Sequence, residues 1–245
     1  MKKRGLSHIE MIVSFLLFIG FVSVALYFFS PTNTSRLVDS TLTYSFREIE
    51  NNVSVGLNIY SVKINKDNIP SIAINIPDID AEKKVRVEDI EGTVLPSKRD
   101  GDLVHVKLSG EKFIYIKYSR DYIPYSPVPG DGVNNIDYEI GSSSADIVVS
   151  EKRFSDLKNH YASDEGYLKL KGEEFNLPNR VDFGFSLEFD DGSKIEAEKN
   201  IPAGVEVFSD IKQVPVIRKE KKSESGEIIV EDGKSELANI IVEVW

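Results

Sequence analysis

Residues 2–10 read KKRGLSHIE and lead without interruption into an apolar segment that ends at Phe29. The 24 residues of 6–29 include 15 Leu, Ile, Phe or Val, and Glu10 is the only Asp, Glu, Lys or Arg among them. A helix of this length would extend about 36 Å, and about 20 apolar residues are enough to cross the hydrocarbon core of a bilayer. The sequence therefore predicts one membrane-spanning helix at 6–29.

Insertion of this segment is favoured although it contains Glu10. Its aliphatic and Phe side chains contribute about 5–9 kcal/mol toward insertion, whereas a carboxylate near one end costs less than the midplane penalty of about 3 kcal/mol. Three basic residues lie at 2–4, and the next basic residue is Arg36. The positive-inside rule then predicts a single-pass protein of the cytoplasmic membrane, with its C-terminal region outside.

Glu10 needs a positive partner or access to water, because an acidic residue inside a membrane segment marks a functional site by default. The segment has no Lys or Arg, but cleavage after Gly5 would create an α-ammonium group on Leu6, four residues before Glu10. In parallel helices with an axial offset, Glu10 of one copy would meet this amine on its neighbour. The alternative is an interfacial Glu10 whose side chain reaches the headgroups.

The basic leader, Gly5, the Leu-Ser-His-Ile-Glu sequence and the apolar run together resemble the class III leader of type IV prepilins, over roughly the first 30 residues. In that family a prepilin peptidase cleaves after the glycine, which corresponds to Gly5, and the glutamate five residues beyond the cut corresponds to Glu10. The Ser-His-Ile-Glu sequence is more similar to archaeal pilin-like proteins than to bacterial ones. Leu6 replaces the bacterial Phe at the new terminus, and Ser-His replaces Thr-Leu after it.

This resemblance implies a structural subunit of a surface filament, not an enzyme, and no cofactor. The leader 1–5 would be removed by prepilin peptidase, and helix 6–29 would pass from the membrane into the filament core beside other pilin-like subunits. Residues 30–52 would form a helical continuation or stalk. The alternative is a single-pass surface protein that never polymerises, such as a stator-like accessory that binds the cell envelope or a surface-layer protein.

Two other interpretations of the N-terminus stay open. Ser23-Val24-Ala25 is a small-x-small pattern, typical of cleavage of a secretory signal. Against it, His8 and Glu10 interrupt the passage from basic to apolar residues, and the mature chain would begin with four apolar residues. The second interpretation is an uncleaved signal anchor.

The composition limits the chemistry of the body. The chain has no Cys, which excludes disulfides, thiol catalysis and thiolate metal sites. Its formal charge is −10, and Lys2, Lys3, Arg4 and Glu10 together contribute +2, so the remaining residues carry −12. An acidic surface argues against nucleic acid as a partner.

Residues beyond position 52 predict a mainly β body. Apolar and polar residues alternate in several runs, of which 181–189 is the clearest, and Asp-Gly turns occur at 100–101, 191–192 and 232–233. Five Pro or Gly residues make 121–135 a predicted linker between a first β lobe at 53–120 and a second at 136–245. Short strands with regular turns favour two β-sandwich-like lobes, with one domain and a long loop as the alternative.

Helical patterns occur at two places besides the membrane segment. Pro31 should end or kink the first helix. Residues 35–50 then place Val38, Leu42, Ser45 and Ile49 on one face, which predicts an amphipathic helix, with a loose tether as the alternative. A short helix is predicted at 152–161, and later strands are predicted at 203–208, 213–218 and 227–231.

No catalytic or metal site is predicted. Ser155 with Lys158 and Ser209 with Lys212 match a Ser-x-x-Lys pattern, but supporting motifs are missing. His8, His105 and His160 lack metal-ligand spacing. Oxygen ligands for Ca²⁺ cluster at 131–139, but turn-forming residues explain this composition better.

Two sequons would lie outside the membrane. Asn33-Thr34-Ser35 and Asn52-Val53-Ser54 match the acceptor pattern for N-glycosylation. Asn33 and Asn52 are therefore possible glycosylation sites, with chance occurrence as the alternative.

Overall fold

The computed structural model describes residues 4–28, 31–125, 128–133, 137–219, 221–222, 228–230 and 233–245. The helices in these ranges are α1 (Arg4–Phe28), α2 (Pro31–Val53), α3 (Glu151–Tyr161) and α4 (Asp164–Lys169), the last followed by a π-helical turn at Leu170–Glu174. The strands are β1 (Ser54–Ile64), β2 (Ser71–Asn75), β3 (Lys84–Asp89), β4 (Val94–Leu95), β5 (Ser97–Asp100), β6 (Leu103–Lys107), β7 (Phe113–Ser119), β8 (Tyr138–Ser150), β9 (Phe183–Phe189), β10 (Lys194–Ala197), β11 (Phe208–Ile217), β12 (Lys221–Lys222), β13 (Ile228–Val230) and β14 (Ser235–Val244). The prediction of a mainly β chain with one N-terminal apolar helix is confirmed.

One nine-stranded sheet contains strands from both halves of the body, in the order β10-β9-β14-β11-β8-β1-β7-β3-β4. Strands β1 and β8 join the halves by antiparallel pairing from Ser54↔Val149 to Ile64↔Tyr138, with a bulge between Tyr60 and Val62. The two expected β-sandwich-like lobes are not confirmed, because the segment between β7 and β8 connects strands of a single sheet.

The sheet carries two large cores and a third, smaller buried cluster that includes Leu57, Tyr122 and Ile217. Helices α2, α3 and α4 cover the half that contains β9, β14 and β11, and their contact buries a cluster that includes Phe46, Phe154 and Phe183. A three-stranded sheet in the order β2-β6-β5 supplies the side chains that meet β1, β3 and β7. That contact buries a second cluster, which includes Ile74, Val104 and Ile116. The body is therefore covered by helices at one end and by a second sheet at the other.

Pro215 explains why the long sheet is weakly joined at its middle. Strands β8 and β11 run parallel but pair only at Val149↔Val216 and Ser150↔Ile217. Every second residue of a strand directs its hydrogen-bonding groups toward the same neighbour. The next bond between β8 and β11 would therefore run from the N–H of residue 215 to the carbonyl of Ile147. Pro215 has no N–H, so this bond is missing where the pairing of β8 with β11 stops.

The helix predictions agree with the described part of the structure. Helix α1 ends at Phe28 and α2 begins at Pro31, which matches the predicted boundary, and residues 29 and 30 lie outside the described ranges. Proline suits a first helical position because it needs no intrahelical N–H bond there. The amphipathic face at 35–50 is also confirmed, since Leu42, Ser45 and Ile49 are buried.

The later element predictions have mixed outcomes. The helix at 152–161 is confirmed as α3, and the strand at 181–189 as β9, which begins at Phe183. The strand predicted at 203–208 is wrong except for Phe208, because residues 201–207 are irregular and Gly204 has a φ of +84°. The C-terminal strand is confirmed as β14, which pairs on both sides with β11 and β9.

Candidate membrane and assembly helix

Helix α1 presents apolar side chains on all sides and packs against no other part of the described chain. From Ile9 to Tyr27 it is long and apolar enough to cross a membrane, and none of this 19-residue span is buried. The exposed fractions reach 73% for Phe21 and 70% for Leu17. Burial of apolar surface is worth about 25 cal/mol per Å², so α1 requires a nonaqueous surrounding. Lipid or other apolar helices would provide it.

The predicted processing and assembly residues lie at the beginning of this helix. Gly5 and Leu6 belong to the first turns of α1, and Glu10 follows one turn after Leu6 with an exposed side chain. Residues four apart lie on the same helix face, so positions 6 and 10 share one side of α1. The helix contains no Lys or Arg after Arg4. A cation for Glu10 must therefore come from a new amino terminus or from another molecule if the carboxylate enters lipid.

Helix α2 attaches the N-terminal region to the body. Leu42, Phe46 and Ile49 enter the helix-covered core, and Val38 packs against its edge. Ser45 is also buried, and its hydroxyl donates to the Thr41 carbonyl at 2.8 Å. This bond satisfies the hydroxyl within the helix, so a polar residue is tolerated on the packed face.

A partly exposed salt bridge connects α2 to the sheet. The ammonium group of Lys212 on β11 lies 2.6 Å from the Glu50 carboxylate on α2. The same helix continues through Val53 directly into β1, which lies at the centre of the sheet. The position of the body therefore depends on the direction of α2.

An apolar groove lies beside α2. It encloses about 300 Å³, and its lining includes Val38 and Thr41 of α2, Phe208, and Trp245 at the C-terminus. The backbone of Trp245 exchanges hydrogen bonds of 2.8 and 3.0 Å with Asp182, which fixes the end of the chain. Apolar surface is thus present on the body next to α2 as well as along α1.

The sequons occupy different parts of α2. Asn33 lies near the beginning of the helix, and Asn52 is exposed in its last turn. The Asn52 side chain donates to the Glu48 carbonyl at 2.9 Å. Glycosylation of Asn52 would replace one of the two N–H groups of this amide and leave the other able to donate.

The Ser-x-x-Lys sequences do not bring a hydroxyl to a lysine. Ser155 donates to the Glu151 carbonyl one turn earlier in α3, at 2.9 Å. Lys212, the partner expected for Ser209, instead forms the salt bridge with Glu50.

The oxygen ligands that cluster at 131–139 in the sequence do not form a common site in the described residues. Asp131 pairs with Lys98, and Glu139 pairs with Lys63 at 3.8 Å. Positions 134 and 135 lie outside the described ranges. His105 is buried, and its Nδ1 accepts from the Gly132 amide at 3.0 Å. Among the described residues, no three His, Asp or Glu side chains are grouped so that they could hold a metal ion.

No known protein family, curated protein or solved structure matches the chain.

Proposed function

We propose that this chain is a type IV pilin-like structural subunit. The observation that carries the proposal is α1, which is apolar on all sides and unpacked, and which has one carboxylate, Glu10, five residues after Gly5. Such a helix needs apolar neighbours, and its glutamate needs a cation. A bundle of processed subunits supplies both at once.

The proposed sequence of events begins with insertion of α1 into the cytoplasmic membrane. Prepilin peptidase then removes Met1–Gly5 and leaves an ammonium group on Leu6. In the assembled filament, Glu10 of one subunit accepts hydrogen bonds from this amine on a neighbour, so the charged pair sets the axial register. A charge pair in a low-dielectric surrounding holds its geometry strongly, because leaving either ion unpaired is costly.

The body has an outward role in this proposal. The large sheet, with the helices and the three-stranded sheet that pack on it, is attached to α1 through α2. Because α2 continues into β1, its direction would determine how the body leaves the filament core. Its surface would make contacts between subunits or with the cell envelope. The groove at Phe208 and Trp245 lies beside α2, where neighbouring subunits would come closest.

The experiment compares Glu10→Ala with Met11→Ala in the native host. Both variants should be inserted and processed, because neither changes Gly5. We expect Glu10→Ala to be at least tenfold depleted from sheared filaments and Met11→Ala to assemble as the native chain does. Normal filaments from Glu10→Ala would refute the assembly role.

The same experiment separates the non-polymerising alternative. A stator-like or envelope-binding protein would remain in the membrane fraction for the native chain and for both variants. Recovery of the native chain from sheared filaments therefore supports the pilin-like function and excludes a monomeric surface anchor.

A further inference from the structure

The two ends of strand β11 lie at opposite ends of the helix-covered half of the body. Phe208 begins the strand and lines the apolar groove together with Val38, so this end lies at the beginning of α2. Ile217 ends the strand close to Ser54, which directly follows α2. Ten residues that each rise about 3.3 Å separate the two ends by about 30 Å. The Phe208 end is called proximal below, and the Ile217 end is called distal.

The distal end has a small depression with unpaired positive charge. The depression encloses about 130 Å³, and its lining includes Lys84 of β3, Lys152 of α3 and Lys219, which follows β11. All three lysines are exposed, and none of them forms an ion pair within the described part of the chain. Three separate segments of the chain therefore bring free ammonium groups to one place.

The other charged side chains of this depression are already paired. Arg120 lies 2.6 Å from the Asp80 carboxylate, and Arg218 is fully buried in an ion pair. The carboxylate of Asp121 also belongs to the lining, and it lies 2.7 Å from Arg153. The three lysines are thus left as a positive surface on a chain whose formal charge is −10.

Ile123 adds an apolar group to the same surface. It lines the depression and is 57% exposed, whereas Tyr122 directly before it is buried. A single exposed apolar side chain is ordinary on a protein surface. Beside three unpaired lysines, however, it makes a surface that matches an apolar groove with an acidic rim. Lys84, Lys152, Lys219 and Ile123 are together called the lysine surface.

The proximal end has the opposite charge. Its apolar groove of about 300 Å³ can receive an aliphatic side chain, since this volume is at the lower end of the range for small-molecule sites. Glu206 lines the groove, Asp39 follows a lining residue of α2, and Asp210 lies two residues after Phe208 on the same side of β11. All three are exposed and form no ion pair among the described residues, and Arg180 is an exposed cation nearby. Asp39, Glu206 and Asp210 are called the acidic rim.

The lysine surface and the groove complement each other in charge and in apolar character. They lie about 30 Å apart on one body, so a contact between them requires two copies of the chain. Two different surfaces then meet, which makes the interface heterologous. Repeated heterologous contacts produce closed rings or open helical filaments.

We propose that the lysine surface of one copy docks onto the apolar groove of the next copy. Ile123 enters the groove, and the three lysines lie beside the acidic rim. This inference rests on the proposed function, in which copies of the chain are held together by α1, and it adds a contact between their bodies. Because the bodies are acidic overall and repel one another, the docked orientation is the one that places lysines against carboxylates.

Cysteine cross-linking of the full chain tests this contact directly. The native chain has no Cys, so introduced thiols react without background. Thr41→Cys places a thiol in the groove, and Ile123→Cys places one on the lysine surface while keeping a small apolar side chain there. Sheared filaments of the double variant, treated with a short bismaleimide, should give a ladder of dimers, trimers and larger species. Each single variant should remain monomeric.

Two results would overturn the docking proposal. The first is the absence of a ladder from filaments that contain the double variant. The second is a cross-linked dimer from either single variant, because like surfaces would then meet and the interface would not be heterologous.

Charge reversals in the double-cysteine chain test the complementarity. Lys152→Glu and Glu206→Lys should each lower the cross-linked fraction about threefold or more, because each places like charges at the contact. Both changes together exchange the charges and should restore about half of the original fraction or more. Lys107→Glu on β6 lies outside both surfaces and should leave the ladder unchanged. An unchanged ladder in Lys152→Glu and in Glu206→Lys would contradict the docking.

The docking proposal and the proposed function fail in different ways. Filaments that contain the native chain but give no ladder with the double variant would refute the docking alone. A native chain that is absent from filaments would refute the pilin-like function, and the same cross-linking on membranes would then test the docking. A ladder from membranes would support the contact between bodies, and its absence there would refute it.

Discussion

Arg218 and Glu151 form an ion pair that is almost completely buried, with Nε of Arg218 2.9 Å from Oε2 of Glu151 and side chains 0% and 3% exposed. The same carboxylate oxygen accepts from the Lys219 amide at 2.9 Å. The guanidinium also lies 3.6 Å from the centre of the Phe189 ring and pairs with Glu236. This pair connects the beginning of α3 to the residue that follows β11, directly beyond the Ser150↔Ile217 pairing.

Replacement of Arg218 should be among the most damaging single changes in the body. Arg218→Met would leave Glu151 buried without its cation, and removal of one partner of a buried pair costs about 3–5 kcal/mol. Urea unfolding of the full chain in micelles measures this loss. Arg180→Met changes an exposed arginine and should stay within about 0.5 kcal/mol of the native chain. Equal stability of the two variants would contradict the role assigned to Arg218.

Asp121 makes part of the folding stability depend on pH. Burial opposes its ionisation, but hydrogen bonds from Arg153 and Ser150 prevail, so the pKa of Asp121 is lowered. A group whose pKa is lowered by folding stabilises above its unfolded pKa of about 3.9, and this contribution is lost as the pH falls through the folded pKa. Asp121→Asn should therefore cost about 1.5–3 kcal/mol at pH 7, and the difference should shrink toward pH 2.5.

Urea midpoints between pH 7 and pH 2.5 check this prediction. Asp190→Asn alters an exposed aspartate and provides the matched control. If Asp121→Asn and the native chain differ by the same amount at both pH values, the Arg153 pair does not act as described.

Phe183 should be a large contributor to the helix-covered core. It is fully buried and has ring centroids of Tyr161, Phe175 and Tyr167 at 5.3–5.5 Å. Phe183→Ala should cost about 3–5 kcal/mol, because it removes apolar contacts and leaves a cavity. Phe113→Ala changes a residue that is 51% exposed and should cost much less. A similar unfolding free energy for both variants would show that this aromatic cluster is not a core.

Pro215 should determine where the sheet opens. Pro215→Ala restores an N–H opposite the Ile147 carbonyl, so the parallel pairing of β8 and β11 should extend by one bond. Hydrogen exchange followed by mass spectrometry on the segment 208–217 should show one additional protected amide. An amide at 215 that exchanges as fast as an exposed loop would contradict this explanation.

Local patterns in the sequence were sufficient for the elements with strong periodicity. The alternation from Val181 to Phe189 predicted β9, and the spacing of Leu42, Ser45 and Ile49 predicted the packed face of α2. These elements were predictable because one face of each is buried, which imposes a period of two or of 3.6 residues.

Long-range pairing was not predictable in the same way. Residues 138–146 include Gly141 and three consecutive serines, which have low strand preference, yet they extend β8 along β1. Partners about 80 residues apart override the local preference, as for Ser61 and Ser142, whose hydroxyls lie 2.9 Å apart. The same pairing makes one sheet where two lobes were expected.

The cleft whose lining includes Lys83, Lys84 and Tyr125 was also beyond sequence analysis. Lys83 and Lys84 are separated from Tyr125 by about 40 residues, and no spacing in the sequence marks them as neighbours. Ser97 resembles any other serine until its buried, unpaired hydroxyl is seen. By contrast, the basic residues at 2–4, Gly5 and Glu10 could be singled out from the sequence, because the pattern that they form lies in adjacent residues.

The amino terminus of the mature protein is the most direct test of the central claim. Mass spectrometry of the chain purified from its native host should show a first residue of Leu6, with Met1–Gly5 removed. A chain that begins at Leu26 would lack Glu10 altogether, and one that keeps Met1 would lack the ammonium group on Leu6 on which the assembly proposal depends; either result would contradict the proposal.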